Sequence, residues 1–112
     1  MLINNYGSRH MHSKTSVTAL VKLGKIPNDS DMSDDLFNQY DKLIQIDERL
    51  TFDEAELLIT LFSDNCDDLN WGLLHTIESV FDTDSIERYR TLITKCNNAE
   101  FKEILVSRLN KQ

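Results

Sequence analysis

Apolar residues recur along this chain at three- and four-residue spacing, the signature of helices that bury one face. Six segments of this kind are predicted. The first runs from about Thr15 to Leu23 with Val17, Leu20 and Val21 on its apolar side, and Gly24 with Pro27 beyond it is a stop signal. The second opens after Ser33 and sets Leu36, Phe37, Tyr40, Leu43 and Ile44 on one narrow stripe, with Asp47 near its end. The third begins at Thr51-Phe52-Asp53-Glu54, a capping box in which Thr51 and Glu54 satisfy backbone donors reciprocally. Its apolar set, Ala55, Leu57, Leu58, Ile59, Leu61 and Phe62, wraps more than half of the helix. The fourth, Asp68 to Phe81, has a similarly broad arc of Leu69, Leu73, Leu74, Ile77, Val80 and Phe81, with Trp71 projecting past Leu74.

Helix five, about Ser85 to Cys96, and helix six, after Asn98, return to narrow stripes: Ile86, Tyr89, Leu92, Ile93 and Cys96, then Phe101, Ile104, Leu105 and Leu109. Wide arcs belong at the centre and narrow ones outside, so helices three and four should be central. Connections of a few residues force neighbouring helices to run antiparallel. The expected fold is all-α, about six antiparallel helices stacked as helical hairpins. Leu58-Ile59-Thr60 recurs as Leu92-Ile93-Thr94 at an offset of 34, within the range of helix-pair repeats, so a HEAT-like stack and an irregular bundle both fit. Residues 15–112 read as one helical domain behind an N-terminal extension, 1–14, in which Gly7 to Met11 looks like a tag remnant.

Composition narrows this further. Three Gly and one Pro in 112 residues are too few for the turns of a β-sandwich or barrel. No apolar run approaches a membrane span, and the first residues contain no apolar segment of signal-peptide length, so a cytoplasmic location is expected. The net charge of −7 is unevenly spread: Asn28 to Glu87 holds seventeen acids and two bases, Lys42 and Arg49, while the segments on either side are each basic by four. Such a middle repels nucleic acid and anionic lipid and attracts a basic protein. Many of the acids fall in first helical turns, where a carboxylate complements the helix dipole. That account leaves unexplained why no base occurs between Arg49 and Arg88, and an acidic binding surface is the expectation that covers both facts.

Candidate chemistry is sparse. Cys66 and Cys96 are read as free thiols, with no CxxC or HExxH around them. His75 stands alone on the polar side of helix four, and His10-Met11-His12 supplies two ligands where a metal site needs more. Asp29-Ser30-Asp31 begins like a calcium loop, but Asp34 and Tyr40 occupy the positions that need Gly and Glu. No GxxxxGK[ST] or GxGxxG cradles phosphate. The expectation is a protein without catalysis, cofactor or metal, with neither nucleic acid nor membrane as partner.

If consecutive helices alternate in direction, the loops before helices two and four emerge at the same end. Asp29, Asp31, Asp34 and Asp35 then join Asp64, Asp67 and Asp68 on one face. Trp71, one turn into helix four, is either the aromatic anchor of an interface there or a ring packed on a neighbouring helix.

The segment Trp71-Gly72-Leu73-Leu74-His75-Thr76-Ile77-Glu78-Ser79, followed by Phe81-Asp82-Thr83-Asp84, resembles small helical immunity proteins of bacterial polymorphic toxin and contact-dependent growth inhibition systems, with immunity protein family 30 the nearest. The similarity runs from about Leu43 to the C-terminus, through Glu56-Leu57-Leu58-Ile59 and Ile104-Leu105-Val106-Ser107-Arg108-Leu109-Asn110, and does not cover residues 1 to 32. The motif is structural and transfers no catalytic residue. What the resemblance implies is a cytoplasmic antidote that binds the C-terminal domain of one cognate toxin and blocks it. Many delivered toxins are nucleases, whose basic surfaces an acidic inhibitor can occupy. The alternative function is a helical-repeat adaptor or scaffold with no toxin partner.

Overall fold

Three of the helix starts in this protein are set by side chains that satisfy the first free N–H groups. The computed structural model describes residues 13–111, and most of the extension, with His10 and His12, lies outside them. Ser33 Oγ accepts from the Leu36 N–H at 3.1 Å and opens α2 (Asp34–Ile44), which follows α1 (Ser13–Leu23). The expected capping box opens α3 (Phe52–Leu58): Thr51 Oγ1 accepts from the Glu54 N–H, and Glu54 Oε1 accepts from the Thr51 N–H at 2.8 Å. α4 (Asp67–Glu78) and α5 (Ile86–Ile93) follow, and Asn98 Oδ1 caps α6 (Ala99–Asn110) through the Phe101 N–H. Gly24 closes α1 at φ +83°, a conformation that suits a residue without Cβ. Six helices and no strand occur among the described residues.

The helices form two rows. α1, α3 and α5 lie side by side in one, α2, α4 and α6 in the other, and each odd helix packs on the even helix that follows it. α3 and α4 each touch three other helices and are central, as their wide apolar arcs predict. Ala55, Leu58, Leu69, Leu73, Leu74 and Ile77 are fully enclosed there. Gly72 lets α2 and α4 close up within their row: a Cβ at that position would sit 3.3 Å from Ile44 Cγ2, and one turn on Thr76 Oγ1 donates to the Ile44 carbonyl at 2.8 Å.

Two details of the third helix depart from expectation. It stops at Leu58, so Ile59, Leu61 and Phe62 belong to the connection that follows; Ile59 and Phe62 still enter the core. Leu57, expected on the buried arc, is 52% exposed, because the two helical turns that exist present only Ala55 and Leu58 inward. Val21 on α1 likewise faces outward. α4 and α5 are also shorter than predicted, with Val80 buried in the turn after α4.

The loops explain where the chain leaves its helices. Connections 24–33, 59–66 and 94–98 lie at one end and are laced together by hydrogen bonds. The Ile26 N–H donates to the Leu61 carbonyl at 2.9 Å, Ser63 Oγ to the Pro27 carbonyl at 2.8 Å, and the Asp29 N–H to Asn65 Oδ1 at 2.8 Å. The next loop repeats the pattern: Asn97 binds Phe62, and Asn98 Nδ2 donates to the Ser63 carbonyl at 2.9 Å. These side-chain links join residues 35 or 36 apart, close to the sequence offset of 34.

Candidate protein-binding site

The lacing brings the acidic loops together. Asp29 backs onto Asn65, and Lys25 reaches Asp64 at 2.9 Å, so the segment before α2 and the segment before α4 share one end. Asp29 and Asp31 sit in a short 3₁₀ turn, Asp34 and Asp35 in the first turn of α2, Asp67 and Asp68 in the first turn of α4. All these carboxylates are on exposed residues. Asp29, Asp67 and Asp68 are close enough to help raise the pKa of the Cys66 thiol, although burial is the larger cause.

This end is also where α2, α4 and α6 begin, so the acids complement three helix dipoles as well as facing solvent. Asp64 differs from the rest because Lys25 partly neutralises it. Among the described residues, Asp31, Asp34, Asp35, Asp67 and Asp68 have no ion-pair partner.

The wider acid excess is less isolated in space than in sequence. Asp53 meets Arg88 at 3.5 Å, Glu56 meets Lys95 at 2.8 Å, Asp82 meets Arg49 at 3.6 Å, and Glu78 accepts from both Nε and Nη2 of Arg108. Three of these acids therefore find bases contributed by the last hairpin, and Asp82 finds Arg49 from the connection before α3. The absence of bases between Arg49 and Arg88 is partly answered by helix-to-helix pairing, and what stands uncompensated is concentrated at the loop end.

Trp71 packs on a neighbouring helix, one of its two expected readings, and keeps part of its surface exposed. Its ring meets Phe101 of α6 edge-on, centroids 5.2 Å apart, and Phe101 stacks on Phe62 at 5.3 Å. The residue is still 40% exposed, on the same face of α4 as Asp68, one turn earlier, and His75, one turn later. His75 is exposed and lies 3.7 Å from Glu78.

Sequence reasoning missed the residues that hold this end in shape. Asn70, fully buried, clasps Ser63: its Oδ1 accepts from the Ser63 N–H at 2.8 Å and its Nδ2 donates to the Ser63 carbonyl at 3.0 Å. The available signal was an amide set between Leu69 and Trp71 beside an apolar arc, a position where a polar side chain needs a defined partner. Among the described residues no three His, Cys, Asp or Glu side chains converge so as to hold a metal ion. Burial raises the pKa of both Cys66 and Cys96, which disfavours the thiolate. No described helix is long and apolar enough to cross a membrane. Neither a protein-family model, nor a curated protein, nor a solved structure matches the chain.

Proposed function

We propose that this protein is an immunity protein that binds and neutralises a cognate toxin domain of basic, nuclease type through the acidic end of its hairpin stack. The observation that carries the reading is the gathering of unpaired carboxylates from two loops beside a part-exposed tryptophan. Solvated acids on a rigid end steer a basic partner into encounter, and a large aromatic at the margin supplies the short-range contact that slows its departure. In this reading inhibition needs no chemistry from the antidote, which acts in the cytoplasm by covering the surface with which the toxin holds RNA or DNA.

The reading requires a toxin domain encoded beside this chain, and the test is co-expression of the two. Rescue of growth, and association whose rate falls steeply with salt, are the expected results. Asp64→Asn, Asp67→Asn and Asp68→Asn together should slow association and flatten its salt dependence without unfolding the protein. Unchanged association by the folded triple variant would remove this end from the interface, and failure to rescue would remove the function.

A helical-repeat adaptor is the second reading, favoured by the loop-to-loop bonds at near-constant sequence separation. It requires a cellular partner and predicts no protection against any toxin.

A further inference from the structure

The bases of the last hairpin divide into two groups. Arg88, Lys95 and Arg108 are bound to acids of α3 and α4, and the Arg88 guanidinium also covers the Phe52 ring at 4.6 Å. Arg90, Lys102 and Lys111 have no ion-pair partner among the described residues, and all three line the free face of α5 and α6. That face carries a cleft of about 150 Å³ between the helices, opening onto a recess of about 500 Å³ along α6. Lys102, Val106 and Asn110 line both.

Two properties make this more than a solvated edge. Val106 is 40% exposed at the junction of cleft and recess, with Ile93 and Leu109 lining the cleft beneath it, so the groove has an apolar floor. Its cations are segregated by pairing: every base of this hairpin outside the groove has an acidic partner, and every unpaired one is in it. Glu103 is the single acid on the lining. No described residue of α1 to α4 lines the groove, so it is the side of the stack that a further helix would cover.

We infer that the α5/α6 face is a second docking surface, separate from the acidic end, and that it takes an acidic amphipathic helix of another protein. Charge complementarity selects the occupant: apolar residues at helical spacing would seat on Val106 and the floor, with flanking Asp or Glu reaching Arg90, Lys102 and Lys111. A polyanion such as RNA would also meet those cations, but the groove has no aromatic ring on which a base could stack, and the acid-rich remainder of the chain would repel it. A second copy of this chain is disfavoured because, among the described residues, most of its acids without an ion-pair partner sit at the loop end, and those on helix surfaces, Asp41, Glu87 and Glu103, are scattered over α2, α5 and α6 instead of flanking one apolar face.

The probe is a synthetic helical peptide with Leu at positions i, i+3 and i+7 and Glu on the flanks, titrated into the isotopically labelled full chain. Resonances of Arg90, Lys102, Val106 and Asn110 should shift first. Arg90→Gln, Lys102→Gln and Lys111→Gln together should weaken binding about tenfold or more and flatten its salt dependence. Arg88→Gln with Lys95→Gln removes paired bases outside the groove and should leave affinity within about twofold, as non-contacting charges do. Val106→Ala, a mild truncation at the surface, should weaken binding with the salt dependence retained. No binding by the acidic peptide, shifts centred elsewhere, equal affinity for a peptide with Lys in place of Glu, tighter binding of single-stranded RNA, or self-association of the free protein through Val106 would each overturn the assignment. Toxin rescue by the groove triple variant separates the two surfaces: it should be intact whether or not the peptide binds.

Discussion

Asn97 holds Phe62 with both ends of its amide: Oδ1 accepts from the Phe62 N–H at 3.0 Å and Nδ2 donates to the Phe62 carbonyl at 2.8 Å. The two residues lie in the internal loops of successive hairpins, at the same end of the stack, so one side chain substitutes for a pair of backbone bonds between hairpins. Asn97→Ala should cost about 1 to 3 kcal/mol, because it leaves the peptide groups of a buried residue without their partners. Asn97→Asp keeps the acceptor but sets a carboxylate oxygen against the Phe62 carbonyl, so at neutral pH it should cost at least as much as Asn97→Ala. Urea unfolding measures both, and a loss for Asn97→Ala below a few tenths of a kcal/mol would show that water replaces the clasp.

Adjacent leucines on α3 offer an internal contrast. Leu58 is fully buried and Leu57 half exposed, so Leu58→Ala should cost about 2 to 5 kcal/mol and Leu57→Ala under about 1 kcal/mol. Leu73→Ala on α4 should behave like Leu58→Ala. Similar losses at Leu57 and Leu58 would contradict the central place of α3.

Ser16 of α1 is fully buried, and its hydroxyl has no hydrogen-bond partner among the described residues. Removing an unsatisfied buried hydroxyl relieves its desolvation, and Ala is the better helix former, so Ser16→Ala should stabilise by about 0.5 to 2 kcal/mol. A lower denaturation midpoint for Ser16→Ala would mean that the hydroxyl is satisfied by water.

Burial holds the Tyr89 phenol neutral, with its pKa pushed up to about 12, the Glu78 charge adding to the effect and Arg108 opposing it. Tyr40 is shifted in the same direction by burial, and its hydroxyl donates toward the Gly24 carbonyl at 3.0 Å. An unfolded tyrosine ionises near pH 10, so the unfolded chain releases these protons first as pH rises. The contribution to stability is complete below about pH 10 and declines as pH climbs toward about 12. Denaturation midpoints across that interval should fall, and fall less in Tyr89→Phe. A midpoint independent of pH there would refute the shift.

Much of this architecture is legible in the residue order because its determinants are local. Thr51 and Glu54 are three residues apart and make their box wherever the helix lies, and Ser33 and Asn98 cap in the same way. The end of α3 is different. Phe62 continues an apolar helical rhythm, yet its backbone groups are claimed by Asn97, 35 residues away, and no periodicity within the segment announces that competitor. Charge followed the same division. The acidic loops were readable once helix directions alternated, whereas the pairing of Asp53 with Arg88 and Glu56 with Lys95 depends on which helices become neighbours.

Stacked helical hairpins ordinarily contact only their neighbours, which allows terminal units to fray while the middle persists. In this chain the loops of successive hairpins are joined at one end through Ser63, Asn97 and Asn98, and at the other Arg49 donates to the Val80 and Phe81 carbonyls while the Leu50 N–H donates to Ser79 Oγ. Peeling off the last hairpin therefore strips hydrogen bonds from the backbone of Phe62 and Ser63 in the central one as well as exposing the apolar contacts of α3 with α5 and of α4 with α6. Amide exchange in α5 and α6 should then follow global unfolding, giving a three-hairpin protein the all-or-none character of a single knot of structure.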